Sequence, residues 1–129
     1  MTTSNSLLIG LVGPCGSGKS TLQSCLIKRG FKVRHIAQEH SYVPDMWQRI
    51  TNPDLLIFLD ASFPTTIDRR QIDWNEDDYA EQQQRLLHAR RHADIYIQTD
   101  SLSVQQVQAR VMEFLLKWRR KNTSTLKGK

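Results

Sequence analysis

The chain has 129 residues, enough for one domain with one sizeable core and below the length at which chains usually divide. Hydrophobic residues make up 39% and charged residues 24%, and no apolar run approaches the roughly 20 residues of a spanning helix, so a soluble protein without membrane partners is expected. The net charge is +5, but Lys117, Arg119, Arg120, Lys121, Lys127 and Lys129 crowd the C-terminal end without an acid, so much of the excess is terminal and is compatible either with a polyanionic small ligand or with weak non-specific nucleic-acid attraction.

The opening MTTSNS is polar and uncharged and lacks the basic stretch of an export signal. Cys15 and Cys25 show no metal-type spacing and no evident partner elsewhere, so a reduced, cytoplasmic setting is expected. Leu7 to Val12 is a continuous apolar run, the pattern of a parallel strand covered on both faces. After a glycine-rich loop, Leu22, Cys25 and Leu26 fall at helical spacing, and Gly30 is placed to stop that helix. Phe31 to Ala37 alternates apolar with basic residues and reads as a half-covered strand near a sheet edge. Residues 38–54 are irregular, with Pro44 placed to start a short helix through Met46, Trp47 and Ile50 that Asn52-Pro53 stops.

Leu55 to Asp60 is a second buried-type strand ending in a carboxylate, followed by a helix from about Pro64 to Arg70 with Ser62 or Thr65 at its cap. Asn75 caps a longer helix, Trp74 and Tyr79 sit at hydrophobic-staple positions, and Tyr79, Leu86, Ala89 and Ala93 form its inner stripe. Ile95 to Ile97 is a third strand closed by Thr99-Asp100. Ser103 and Gln106 form a capping box for a last helix whose inner face holds Val107, Val111, Phe114, Leu115 and Trp118. The expected organisation is one domain over 1–121 and a basic disordered tail over 122–129. Strands alternating with helices imply an α/β fold with a small, mostly parallel sheet of about four strands between helical layers, and ligands then bind beyond the strands' carboxyl ends. Gly13, Asp60 and Thr99-Asp100 all fall at such ends.

Gly13-Pro14-Cys15-Gly16-Ser17-Gly18-Lys19-Ser20 fills the spacing G-x-x-x-x-G-K-[ST], with the strand before it and the helix after it that this phosphate-cradling loop requires. Its glycines let successive N–H groups turn inward, so that the loop and the helix N-terminus form an anion nest. Lys19 is expected to reach the β- and γ-phosphates and Ser20 to offer its hydroxyl to Mg²⁺, with Thr21 just inside the helix near the phosphates. Asp60 has the form of an acid that holds Mg²⁺ directly or through water, and equally of a strand-end Asp capping a turn; Ala61 follows it, so no adjacent hydrolytic base is evident. Glu39, His40 and Asp45 lie in the irregular segment, where one carboxylate is a candidate proton acceptor or each is a solvated loop residue. Tyr42 and Trp47 pack either a substrate ring or the loop itself. Arg69, Arg70, Arg85, Arg90 and Arg91 include candidates for closing over a transferring phosphoryl group, most of them being solvated helix residues. His88 and His92 are spaced i, i+4, but Ala89 stands where a zinc protease motif needs glutamate, and a surface pair is the expected reading.

GPCGSGKST, LLIFLD with SFPTTIDRR, and RLLHARRHADIYIQTDSLSVQQVQARVMEFL together resemble the P-loop small-molecule kinase group that includes shikimate, adenylate and dephospho-coenzyme A kinases. The resemblance covers about residues 7–118. It implies a three-layer α/β/α P-loop NTPase fold and transfer of the γ-phosphoryl of Mg²⁺-ATP (or GTP) to a small acceptor near residues 38–50, with catalytic roles for Lys19, Asp60 and Arg85. It also places the lid arginines among Arg69–Arg91, the lid itself being reduced to residues around Ile72–Asn75, and the Thr99–Leu102 loop beside the nucleotide base. No N-K-x-D guanine-reading segment is present. The chain is shorter than those kinases after its second strand, where they build the acceptor site and add a strand. A nucleotide-binding module without a metabolite acceptor is the alternative expectation.

Overall fold

The computed structural model describes residues 7–70 and 74–127, the side chains of Arg70 and of 120–127 excepted. In chain order the elements are β1 (Leu8–Val12), α1 (Lys19–Lys28), β2 (Lys32–His35), a short 3-10 turn (Gln38–His40), a π-helical turn (Trp47–Thr51), β3 (Leu55–Asp60), α2 (Phe63–Arg70), α3 (Glu76–His92), β4 (Ile95–Gln98) and α4 (Val104–Lys127). The four strands form one sheet in the order β2-β1-β3-β4. Every pairing is parallel, with Ile9 beside Val33 and Leu55, Leu11 beside Ile57, and Phe58 beside Tyr96.

Alternation along each strand divides the core into two faces. Ile9, Leu11, Leu55, Ile57, Leu59 and Ile97 pack with Leu22 and Leu26 of α1 and with Val107, Val111 and Leu115 of α4. Val12, Leu56 and Phe58 turn the other way, against Leu86 and Ala89 of α3 and against Ile36 and Trp47. The continuous apolar runs of β1 and β3 thus reflect burial on both faces. From β1 the chain steps one way to β2, and from β3 it steps the opposite way to β4. Right-handed connections place the two crossovers on opposite faces, and the direction changes between the adjacent strands β1 and β3. A crevice belongs at the carboxyl ends of that pair.

Local signals fix most boundaries. Gly30, at φ +94°, ends α1. The Asn75 side chain accepts from the Asp78 N–H at 2.9 Å while the Asp78 carboxylate accepts from the Asn75 N–H, and Trp74 meets Tyr79 edge-on with ring centroids 6.2 Å apart. Ser103 and Gln106 exchange the same reciprocal pair at the start of α4. The short helix expected after Pro44 is present as a π-helical turn, which ends because Asn52 takes a left-handed conformation at φ 46°. The last helix, α4, runs on to Lys127: Asn, Thr and Ser are only mild helix weakeners, and no Gly or Pro interrupts the chain before Gly128. No helix among the described residues is long and apolar enough to cross a membrane.

Gly10 sits in the middle of β1 because the connection after β2 crosses over it. A β-carbon there would lie 2.8 Å from Ile36 Cδ1 and 2.9 Å from Pro53 Cγ. Gly10→Val is expected to destabilise the fold by about 1–3 kcal/mol despite the strand propensity of valine. Urea unfolding checks this through a lower midpoint at an unchanged slope.

Candidate functional site

β1 delivers the chain into a loop that only glycine can form at its first position. Gly13 has φ +151°, and a β-carbon on it would collide with the Leu59 carbonyl of β3 and approach Ser17 Oγ to 2.9 Å. Gly16 at φ +84° and Gly18 at φ +101° complete the turn. Gly18 is the N-cap of α1, which has no side-chain cap and no acid in its first turn. The positive end of a 10-residue helix therefore faces the loop without a carboxylate of its own to neutralise it.

Lys19, the first residue of α1, is 5% exposed. Its ammonium donates to the carbonyls of Gly13 at 2.5 Å and Pro14 at 3.0 Å, and lies 3.4 Å from Glu39 Oε2. Glu39 is 3% exposed and stands in the 3-10 turn beyond β2. Its other oxygen, Oε1, is buried with no hydrogen-bond partner among the described residues, as is Ser17 Oγ. Both orphaned atoms border the loop.

Two cavities open on either side of the loop and share Gly18, Thr21 and Arg69 in their walls. One, of about 440 Å³, has Lys19, Ser20, His35, Glu39 and His40 at its edges, and Glu39 is its only acid among the described residues. Burial and then the Lys19 ammonium hold the His35 imidazole below its ordinary pKa, against the opposing pull of Glu39. The other, of about 350 Å³, lies between the start of α1 and the start of α4, with Leu22, Leu102, Val104 and Val107 as an apolar wall and Ser17, Thr99, Ser103 and Gln108 as polar points.

The expected site residues separate into groups. Gly13, Pro14, Cys15, Gly16, Ser17, Gly18, Lys19, Ser20 and Thr21 form the loop and helix start, and the loop after β4 joins them. Arg69 makes that joint, donating to Gly16 O at 3.1 Å, Thr99 Oγ1 at 2.9 Å and Thr99 O at 2.8 Å. Arg85 is placed elsewhere: it donates to Glu39 O at 3.2 Å, pairs with Glu81 at 3.2 Å, and lies 4.4 Å over the exposed Tyr42 ring. Arg90 lies over Tyr96, and the Arg70 side chain and the Ile72 end of the expected lid fall outside the described residues. Asp45 stays at the surface, where the hydrogen bond from Arg49 holds its carboxyl below the usual range. Trp47 is a core residue; its N–H donates to Gln38 Oε1 and its indole to His88 Nδ1, and His88 stacks on His92 at 4.2 Å.

Asp60 faces the α3 side of the sheet. Its Oδ1 accepts from Ala61 N at 2.9 Å and Gln83 Nε2 at 3.0 Å, and its Oδ2 accepts from the Tyr96 hydroxyl at 2.5 Å. It borders neither cavity at the loop. Both oxygens serve to lock α3 and β4 onto β3. The acid that does reach the loop, Glu39, carried a usable signal: it follows the carboxyl end of β2, on the same rim as Gly13. Gln82, which accepts from Cys15 N at 3.1 Å and donates to Cys15 Sγ at 3.4 Å, carried none, because a buried glutamine on an inner helix stripe looks like any polar residue. Cys15 forms no disulfide, and its Sγ lies 3.7 Å from His40 Nε2. Sequence separation hides that pairing until β2 is laid beside β1.

Burial, the hydrogen bond to Asp60 and the Asp60 charge push the Tyr96 phenol up to about 12. The unfolded chain gives up this proton near pH 10 and the folded one later, so stability present below pH 10 is lost as pH rises towards about 12. In Tyr96→Phe the late step should vanish from the ultraviolet phenolate titration and the alkaline fall in stability should become shallower. No protein-family model matches the chain, and no curated protein matches it.

Proposed function

We propose that this chain is a P-loop phosphotransferase, with the three-layer fold of that class, which binds Mg²⁺-ATP or Mg²⁺-GTP on Gly13–Thr21 and passes the γ-phosphoryl group to a small acceptor in the groove beside Glu39. The observation that carries the reading is the buried Lys19 ammonium, held at the uncapped N-terminus of α1 by two loop carbonyls and one carboxylate. A cation kept out of water beside a helix N-terminus is a costly arrangement in a stability sense and a suitable one for a polyanion.

In this reading the nucleoside occupies the cavity between α1 and α4, its base against Leu22, Leu102, Val104 and Val107, and its phosphates lie along the loop. Lys19 exchanges its carbonyl contacts for phosphate oxygens and neutralises charge that develops during transfer. The oxygen donors suit Mg²⁺: the Ser20 hydroxyl at the helix start and, through water, the orphaned Glu39 Oε1, which supplants Asp60 as the acid of the site. When bound, the ion would screen the charge of the phosphates. Glu39 also lies in the right groove to accept a proton from an acceptor hydroxyl. Arg69, which already ties Gly16 to Thr99, takes the place expected of Arg85 as the arginine nearest the nucleotide. Arg85 instead shapes the acceptor side by holding the backbone at Glu39 and the ring of Tyr42.

Titration calorimetry with ATP and GTP, with and without Mg²⁺, followed by transfer from labelled nucleotide to pooled metabolites, tests this. Mg²⁺-dependent binding and acceptor-dependent turnover are expected, and Lys19→Ala should lower turnover by about 10²–10³-fold. Because that change strands Glu39 as a buried unpaired carboxylate, at a cost of about 3–5 kcal/mol, Ser20→Ala is the companion variant, expected to fold normally and to lose the Mg²⁺ dependence of binding. A folded protein that binds no Mg²⁺-nucleotide overturns the proposal. Binding without turnover on any acceptor assigns the chain to nucleotide-binding modules instead.

A further inference from the structure

The loop rim also gathers soft donors that phosphate chemistry does not require. His40 Nε2 lies 3.7 Å from Cys15 Sγ and 3.8 Å from Glu39 Oε2, and one ligand atom from each of the three residues falls within 4.8 Å of the other two. Tetrahedral zinc, with Zn–S of about 2.3 Å and Zn–N or Zn–O of about 2.0–2.2 Å, sets its donors about 3.4–3.6 Å apart. The His40 contacts are thus within a few tenths of an ångström of that spacing. Glu39 is almost wholly buried: its Oε2 is the oxygen near His40 and also pairs with Lys19, while its Oε1 has no hydrogen-bond partner among the described residues. Gln82 supplies a supporting contact, donating to Cys15 Sγ at 3.4 Å while its own oxygen accepts from Cys15 N.

We propose that Cys15, Glu39 and His40 form a binding site for a zinc-class divalent cation, with water as the fourth ligand. Thiolate, imidazole and carboxylate together favour zinc over magnesium, which prefers an all-oxygen octahedron. Binding forms the metal–sulfur bond with loss of the Cys15 thiol proton to solvent. The Lys19 ammonium, 3.4 Å from Glu39 Oε2, opposes the ion's charge, and its contacts with the Gly13 and Pro14 carbonyls let it stay in place when Glu39 turns to the metal. The site stands on these contacts and not on the nucleotide reading.

Co²⁺ is the probe, titrated into the reduced, untagged full chain without nucleotide. The expected result is one Co²⁺ per chain, displaced by Zn²⁺, with a thiolate-to-cobalt charge-transfer band and the strong visible bands of tetrahedral cobalt. Cys15→Ser should abolish the charge-transfer band, Cys25→Ser should keep it, and His40→Ala should weaken Co²⁺ binding by at least about tenfold. Circular dichroism verifies that each variant is folded; should Cys15→Ser fail to fold, the His40→Ala affinity decides. Absence of Co²⁺ binding, a complex without the thiolate band, a band that survives Cys15→Ser, or an undiminished affinity in His40→Ala overturns the proposal.

Discussion

A buried ammonium must be satisfied from within the protein, and at Lys19 this requirement organises the whole rim. The charge cannot be left alone out of water, so it takes the Gly13 and Pro14 carbonyls and the Glu39 carboxylate. Those contacts bind the loop after β1 to the turn after β2. Glu39 in turn can reach Lys19 only because Arg85 and Gln38 hold its turn from the α3 side, Arg85 through the Glu39 carbonyl and Gln38 through the Val43 and Arg85 carbonyls and the Trp47 N–H. One charge thereby couples the sheet, the irregular segment and α3.

The sheet makes this convergence possible. Because β1 lies between β2 and β3 and all strands run the same way, three strand ends and the loop after β4 meet on one edge. Gly13 passes so near the Leu59 carbonyl that no side chain fits between them. Arg69 then closes the ring from α2, joining Gly16 to Thr99. The result is a rim with cavities on both sides of the loop, one walled by apolar residues of α1 and α4 and one by polar and ionisable groups.

Asp60 and Glu39 show what sequence pattern leaves for the tertiary structure to decide. An aspartate ending an apolar strand is prominent in the sequence, but strand alternation turns it towards α3, where Tyr96, Gln83 and the Ala61 N–H use both its oxygens. Glu39, in a stretch without periodicity, reads as an ordinary loop acid and is buried against Lys19. Direction decides the matter, and direction depends on which face of the sheet a residue occupies. Arg69 and Arg85 divide in the same way: both sit on helix faces with similar neighbours, and only the packing of α2 and α3 decides that one meets the loop and the other meets Tyr42.

The sequence by itself determined whatever depends on near neighbours along the chain: the continuous runs of β1 and β3, the caps at Asn75 and Ser103, the stop at Gly30, and the glycine positions whose φ values shape the loop. These are local because backbone sterics and i to i+3 hydrogen bonds act within a few residues. Only the tertiary structure decided which acid stands beside Lys19, which arginine reaches Thr99, and that Cys15, Glu39 and His40 share one corner. Each of those pairings joins residues brought together by parallel strand register or helix packing, and a parallel contact leaves no short-range trace in the chain that makes it.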